Sequence, residues 1–251
     1  MKCCFITLFP EIIQSAPIGL LGKALQEGVL QLSAINPREY STNKHRAVDD
    51  TPYGGGPGML MQAQPLHHAI LAAKQELPNA KVIYLSPQGT VFNQTAANHF
   101  AQQEAIIFVC GRYEGIDQRV MDLVIDEEWS IGDYVLTGGE YPALVMLDAI
   151  TRLLPGVVGD QNSITEDSLY HGLLKYPQYT RPETYEYHSV PPILLSGHHK
   201  NIEEWKKKQS LGTTWLKRPD LLAKIALTEK EQAHLTAFIT EYDNNLKRKK
   251  T

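Results

Sequence analysis

The chain has 251 residues, 24 of them Lys or Arg and 28 Asp or Glu, for a formal charge of −4 at pH 7. At 43% hydrophobic residues it has material for one large domain or two small ones, either with a substantial core. No apolar run reaches the about 18 residues that cross a bilayer, the opening MKCCFITLFPEI is too short and acid-flanked for an export signal, and the three cysteines form neither a disulfide framework nor a metal knuckle, so a cytoplasmic protein with no membrane partner is expected.

The first half alternates short apolar runs with helical patterns. CFITLF (4–9), VLQLSAI (29–35), KVIYLS (81–86) and AIIFVC (105–110) read as strands, the last two apolar enough to be buried on both faces. Neighbours on a strand point to opposite faces, so Cys3 and Cys4 are expected to pack rather than react. GLLGKALQEG (19–28), PLHHAILAAKQEL (65–77) and NQTAANHFAQQ (93–103) read as helices, with Asn93 as an N-cap and Pro65 in a first turn. Alternation at these lengths predicts an α/β domain with a parallel sheet. A further apolar helix, 141–154, ends at Pro155. The polar, aperiodic stretch 159–170 reads as an interdomain linker between a domain at 1–158 and a helical one at 171–251. In the latter Thr228 and Glu231 fit a capping box for a last helix.

The net charge conceals a division. Residues 1–170 hold 10 basic against 19 acidic side chains, and residues 171–251 hold 14 against 9. A basic half of this kind suits a nucleic acid or a membrane surface, a solvated helix being the plain alternative.

Standard nucleotide motifs are missing: there is no Walker A sequence, and no GxGxxG follows the first strand to open a helix. The segment YGGGPGM (53–59) suits a substrate-facing flap or a bare turn. Between Cys110 and Glu140 lie Gly111, Gly115, Gly132, Gly138 and Gly139 among Tyr113, Glu114, Asp117, Asp133 and Tyr134. This acidic stretch reads either as loops in which a buried strand ends at a ligand site or as a pair of tight turns. The loops YLSPQG (84–89) and CGRYEG (110–115) leave parallel-looking strands at their C-terminal ends, where open α/β sheets bind ligands. Together with SIGDYVLTGGE (130–140) they would line a pocket, with Leu85, Ile131 and Leu136 able to sandwich a purine.

In order along the chain, YGGGPGML, YLSPQG, CGRYEGID, DEEWSIGDYVLTGGE, PGVVG, TEDS, YTRPE and KQSLGTTWLKRPDLL resemble the bacterial tRNA (guanine-N1)-methyltransferase family of the SPOUT class. The resemblance implies a SPOUT-type parallel sheet with a deep trefoil knot, a small all-helical C-terminal domain that grips tRNA, and a homodimer with its active site at the subunit interface. It implies that S-adenosylmethionine is bound by Tyr84, Leu85, Ser86 and Pro87 of the first loop. Gly111, Tyr113 and Glu114 serve in the second, and Ile131, Gly132, Asp133, Tyr134, Val135, Leu136, Gly138, Gly139 and Pro142 in the third. The flap Tyr53, Gly54, Gly55, Gly56, Pro57 and Gly58 would face the substrate. His45 and Arg46, beside Lys44, would guide the anticodon loop or merely pair with Asp49 and Asp50.

The reaction so implied moves a methyl group to N1 of the guanosine at tRNA position 37, a nitrogen that must first lose its proton. A carboxylate is the natural base, and a guanidinium at O6 would stabilise the charge left on the purine. The matching motifs assign Asp167 as base and Arg152 as electrophilic partner; the plain alternatives are charges at helix ends. A divalent ion, Mg²⁺, is also implied, with Glu114 or Asp167 as a possible contact, although no set of oxygen ligands stands at a recognisable spacing. Lys206, Lys207, Lys208, Lys217 and Arg218 suit phosphates. Trp205 and Trp215 suit either a splayed base or the helical core. His198 departs from the family pattern, where an asparagine is expected. A related knotted methyltransferase acting on a ribose 2′-oxygen, or a non-catalytic RNA-binding protein, are the competing readings.

Overall fold

The computed structural model describes residues 1–15, 18–159 and 167–248. The chain divides into two compact units, Met1–Gly159 and Asp160–Thr251. Of the stretch expected to be a linker, residues 160–166 lie outside those described.

In chain order the first unit contains β1 (Lys2–Ile6), α1 (Glu11–Ser15), α2 (Gly19–Gln26), β2 (Gln31–Ile35), a 3₁₀ turn (Pro37–Tyr40), β3 (Asp49–Asp50), β4 (Leu60–Met61) and α3 (Ala63–Glu76). β5 (Lys81–Val91), α4 (Gln94–Phe100), β6 (Ala105–Val109), α5 (Gln118–Val124), β7 (Glu127–Ser130) and α6 (Glu140–Thr151) complete it. Five strands form one sheet in the order β2-β1-β6-β5-β7, every pair parallel. Alternation along each strand sorts the core onto two faces. Cys3, Phe5, Ile83, Ile106 and Phe108 pack with α2, α4 and α6, while Cys4, Ile6, Val82, Ile107 and Val109 pack with α3 and Val120 of α5. Cys3 and Cys4 are thus core residues on opposite faces, and burial pushes the Cys3 thiol up to about 12. Asn93 caps α4 by accepting the Ala96 N–H at 3.0 Å.

Three local expectations need correction. β1 stops at Ile6 rather than residue 9, because the Phe9 N–H turns back to Thr7 Oγ1 at 3.0 Å just before Pro10, which has no N–H for a ladder. β5 runs past the expected end at Ser86 to Val91, with a register shift in which Leu85 and Thr90 both face Trp129. Residues 86–89 therefore leave the sheet as a bulge and rejoin it. Lastly, the acidic stretch after Cys110 is not all loop. Asp117 caps α5 by accepting the Arg119 N–H at 2.9 Å, and Glu127–Ser130 adds an edge strand, with Glu127 3.6 Å from Lys81.

The second unit has a short hairpin, β8 (Thr184–Tyr185) with β9 (His188–Ser189), followed by α7 (Pro192–Leu195), α8 (His199–Lys217), α9 (Pro219–Leu222) and α10 (Glu229–Arg248). It is therefore not all-helical. Its core joins Leu173, Leu211 and Leu235 with Trp215, Leu222, Ile225 and Ile239, so Trp215 takes the packing role. Trp205 stands edge-on to Tyr176, ring centres 6.3 Å apart. The capping box forms: the Thr228 N–H donates to Glu231 Oε2 at 2.9 Å and the Glu231 N–H to Thr228 Oγ1 at 3.3 Å. No helix among the described residues is long and apolar enough to cross a membrane.

Candidate active site

Because β6, β5 and β7 are neighbours, the ends of three strands lie side by side. The bulge of β5, the loop after β6 and the loop after β7 enclose a cavity of about 510 Å³, within the range of small-molecule sites. Every residue expected to bind the cofactor lines it except Asp133, which is exposed and off the cavity wall. Gln88, Arg112, Glu128 and Trp129 also line it. Sequence reasoning assigned these four no role, although all lie within or beside the motifs that carried the resemblance.

Backbone contacts hold the loops together. The Gly139 N–H donates to Gly111 O at 2.9 Å, and Arg112 Nη1 donates to Thr137 O at 3.2 Å. A Cβ on Gly139 would stand 2.8 Å from Cys110 Cα and 3.1 Å from Gly111 N, so only glycine permits this approach. Behind the loops is a buried polar cluster. Glu140, fully buried at the first turn of α6, accepts from Thr7 Oγ1 at 2.7 Å and stands 3.0 Å from Arg112 Nε. Arg112 in turn lies over the Phe9 ring, 4.4 Å from its centre. A carboxylate buried in this way persists because it is paired and sits at a helix N-terminus. Burial, and then the Glu140 charge, push the Cys110 thiol well up, with Arg112 pulling the other way.

The cavity wall is polar in a particular sense. Tyr84 is held as a neutral phenol, pushed up to about 12 by burial and then by the Glu128 charge, with the Ile116 backbone acting oppositely. Glu114 and Glu128 are the carboxylates in the lining and Arg112, spent on Glu140, is its cation, which favours a ligand bearing positive charge.

The glycine flap is tied to this cavity. The Glu114 N–H donates to Met59 O at 2.9 Å, and the Met61 N–H donates to Gly115 O at 3.0 Å. At Gly58, φ is +82°, and an added Cβ would run into the Glu114 side chain. Glu114 thus touches both the flap and the cavity. Tyr53 is fully exposed, and Gly54, Gly55, Gly56 and Pro57 are exposed beside it. The His45 N–H donates to Asn43 Oδ1 at 2.8 Å, and Arg46 O accepts from Arg38 Nη1 at 3.4 Å. Among the described residues no ion pair joins Lys44, His45 or Arg46 to Asp49 or Asp50; Asp50 instead accepts the Thr51 N–H at 2.8 Å.

Arg152 is the C-cap of α6, half-buried, its N–H donating to Asp148 O at 3.3 Å. Asp167 belongs to the second unit, where its carboxylate lies 3.8 Å from Lys175 Nζ and its carbonyl accepts the Tyr170 N–H at 3.4 Å. Thr165 and Glu166 of the same motif lie outside the described residues. Among the described residues no group of three or more His, Cys, Asp or Glu side chains is placed to hold a metal; Glu114 lies in the cavity lining and Asp167 in the second unit. His198 is the N-cap of α8, without a side-chain capping bond.

Of the five cations expected to meet phosphates, four are engaged within the unit. Lys206 is 2.8 Å from Glu203, Lys207 2.7 Å from Glu231, Lys208 2.6 Å from Glu241 and Arg218 2.7 Å from Asp220. Each pair keeps at least one partner open to water, so a phosphate can displace the carboxylate at modest cost.

Comparison with known proteins gives this geometry a context. The family model described as tRNA (Guanine-1)-methyltransferase TrmD matches residues 1–224. The chain is 53% identical to the tRNA (guanine-N(1)-)-methyltransferase of Photobacterium profundum over 239 residues, covering 94% of this chain and 96% of that one. It is 54% identical to the protein of the same name from Mannheimia succiniciproducens, with 94% of each covered. To that of Aliivibrio fischeri it is 51% identical, with 96% of this chain and 98% of the other covered. On a match that spans both units at this identity, the chain belongs to the tRNA (guanine-1)-methyltransferase family.

Proposed function

We propose that the protein transfers a methyl group from S-adenosylmethionine to N1 of the guanosine at position 37 of tRNA, 3′ of the anticodon. The observation that carries this reading is the cavity at the ends of β5, β6 and β7, lined by the loops through which the family match runs. Its residues fit the cofactor. Leu85, Ile131 and Leu136 supply apolar surface for an adenine, the glycine-rich backbone supplies N–H and C=O groups for its edge, and Glu114 and Glu128 supply negative charge for the amino and sulfonium groups. When bound, the cofactor supplies an electrophilic methyl group.

The chain's own residues would do the rest. Asp167 takes the N1 proton as general base, and Arg152 neutralises the charge that this leaves on O6. To do so the Asp167 carboxylate must exchange Lys175 for the nucleobase, a small cost for a 3.8 Å pair with both groups partly in water. The flap, tied to Glu114, places the guanine against the cofactor end of the cavity. On this reading residues 1–158 form a cofactor domain with the family's trefoil knot, 159–170 a linker, and 171–251 the tRNA-binding domain. Two copies associate so that Asp167 serves the partner's cavity. The knot is what membership of the family implies.

The test is transfer of labelled methyl from S-adenosylmethionine to unmodified tRNA, followed by digestion and mass analysis of the nucleosides. The expected product is N1-methylguanosine, lost when position 37 is changed. Methylation of a ribose, or none at all, would overturn the reading.

A further inference from the structure

The function proposed above gives the β8–β9 hairpin no role. In it Tyr185 pairs with His188, leaving Glu186 and Tyr187 to make the whole turn. Their φ angles are +44° and +67°. This is the type I′ pattern, which Asn-Gly adopts readily and which strains any residue with a bulky side chain. The rest of the hairpin is well tied: the Thr184 and Ser189 hydroxyls are 3.1 Å apart, and the Val190 N–H donates to Glu183 O at 2.9 Å. At its tip the Tyr187 ring is fully exposed, and Tyr185 is two-thirds exposed. Neither the strain nor the exposed ring serves folding, since a glycine would relieve the first and the second buries nothing.

We infer that the tip of this hairpin is a stacking platform for an unpaired base of the tRNA, with Tyr187 as the platform and Tyr185 beside it. The inference rests on the tRNA-methyltransferase reading above. RNA is favoured as the occupant because the chain belongs to a family of tRNA methyltransferases; the basic excess of 171–251 lies mostly in the 247–250 tail and does not by itself mark the tip. The tip itself mixes Arg181 and His188 with Glu183 and Glu186, so its own contribution is a ring face rather than phosphate neutralisation. Every base offers a π face to such a ring, and a tyrosine on a rigid turn loses little freedom in using it.

The test compares the full chain with Tyr187→Gly and Tyr187→Phe, measuring thermal unfolding and the binding of an unmodified tRNA transcript at several salt concentrations. Tyr187→Gly should unfold at a higher temperature, because glycine suits the turn, yet bind tRNA about tenfold more weakly. Its salt dependence should match the parent's, because no phosphate contact is lost, and Tyr187→Phe should bind as the parent does. Parent-like tRNA binding by Tyr187→Gly would overturn the hairpin proposal and leave the methyltransferase reading standing. A substitution that weakened self-association instead would assign the tip to a second copy and overturn the proposal as well. A parent chain that bound no tRNA would overturn the underlying reading.

Discussion

The loops around the cavity and the helices of the basic unit carry charge in opposite ways. Around the cavity the decisive charge is buried: Glu140 is fully enclosed, held by Thr7 and Arg112, and its partners come from distant parts of the chain. In the basic unit the ion pairs lie at the surface and join residues of neighbouring helices or turns. A buried pair makes a rigid wall that suits a small ligand of fixed shape, whereas exposed pairs make a surface on which phosphates can replace carboxylates at little cost.

The largest expected effect would break this division. Asp167→Asn, in the second unit, should reduce methyl transfer by about 10²- to 10⁴-fold while calorimetric affinity for S-adenosylmethionine stays unchanged; a collapse of cofactor binding would place Asp167 in the cavity wall instead. Next, Glu140→Ala leaves Arg112 and Thr7 without their carboxylate. It should lower stability by about 3 kcal/mol in urea unfolding and weaken cofactor binding, because Arg112 also holds Thr137 O. Lys208→Ala, in contrast, should change stability by less than about 1 kcal/mol and reduce the salt slope of tRNA binding by about 1.

The smallest effect concerns pH. The Lys207 ammonium, and then the Thr228 backbone and hydroxyl, lower the Glu231 carboxyl from 4.5 to about 2. A carboxyl depressed on folding stabilises the folded chain above its unfolded value, and that contribution is lost as pH falls through the folded one. The difference in melting temperature between the parent and Glu231→Gln should therefore be full above about pH 5 and close between there and pH 2.

Much of the sheet was legible because its central strands are apolar on both faces and its helices are periodic. What escaped was short or at an edge. α5 has seven residues, too few to show a period, and β7 reads EEWS because an edge strand needs no apolar run. The β5 bulge was hidden because Ser-Pro-Gln-Gly ordinarily ends a strand. For the site, glycine and acid marked the correct loops, and the family resemblance supplied the residue roles. Periodicity could not show that Glu140 would meet Thr7, 133 residues away, nor that Glu128 and Trp129 would face the cavity.

The bulge has one more consequence. Since Leu85 and Thr90 face the same residue, Trp129, the excursion leaves and rejoins the ladder at a single rung. Its far end is held against β7, since a Cβ on Gly89 would run into the Trp129 backbone, so it is at residues 86–88 that the excursion can change without shifting the alternation of inward and outward side chains further along. The tip is therefore a place where the ligand's outline can be altered while the scaffold beneath is inherited unchanged.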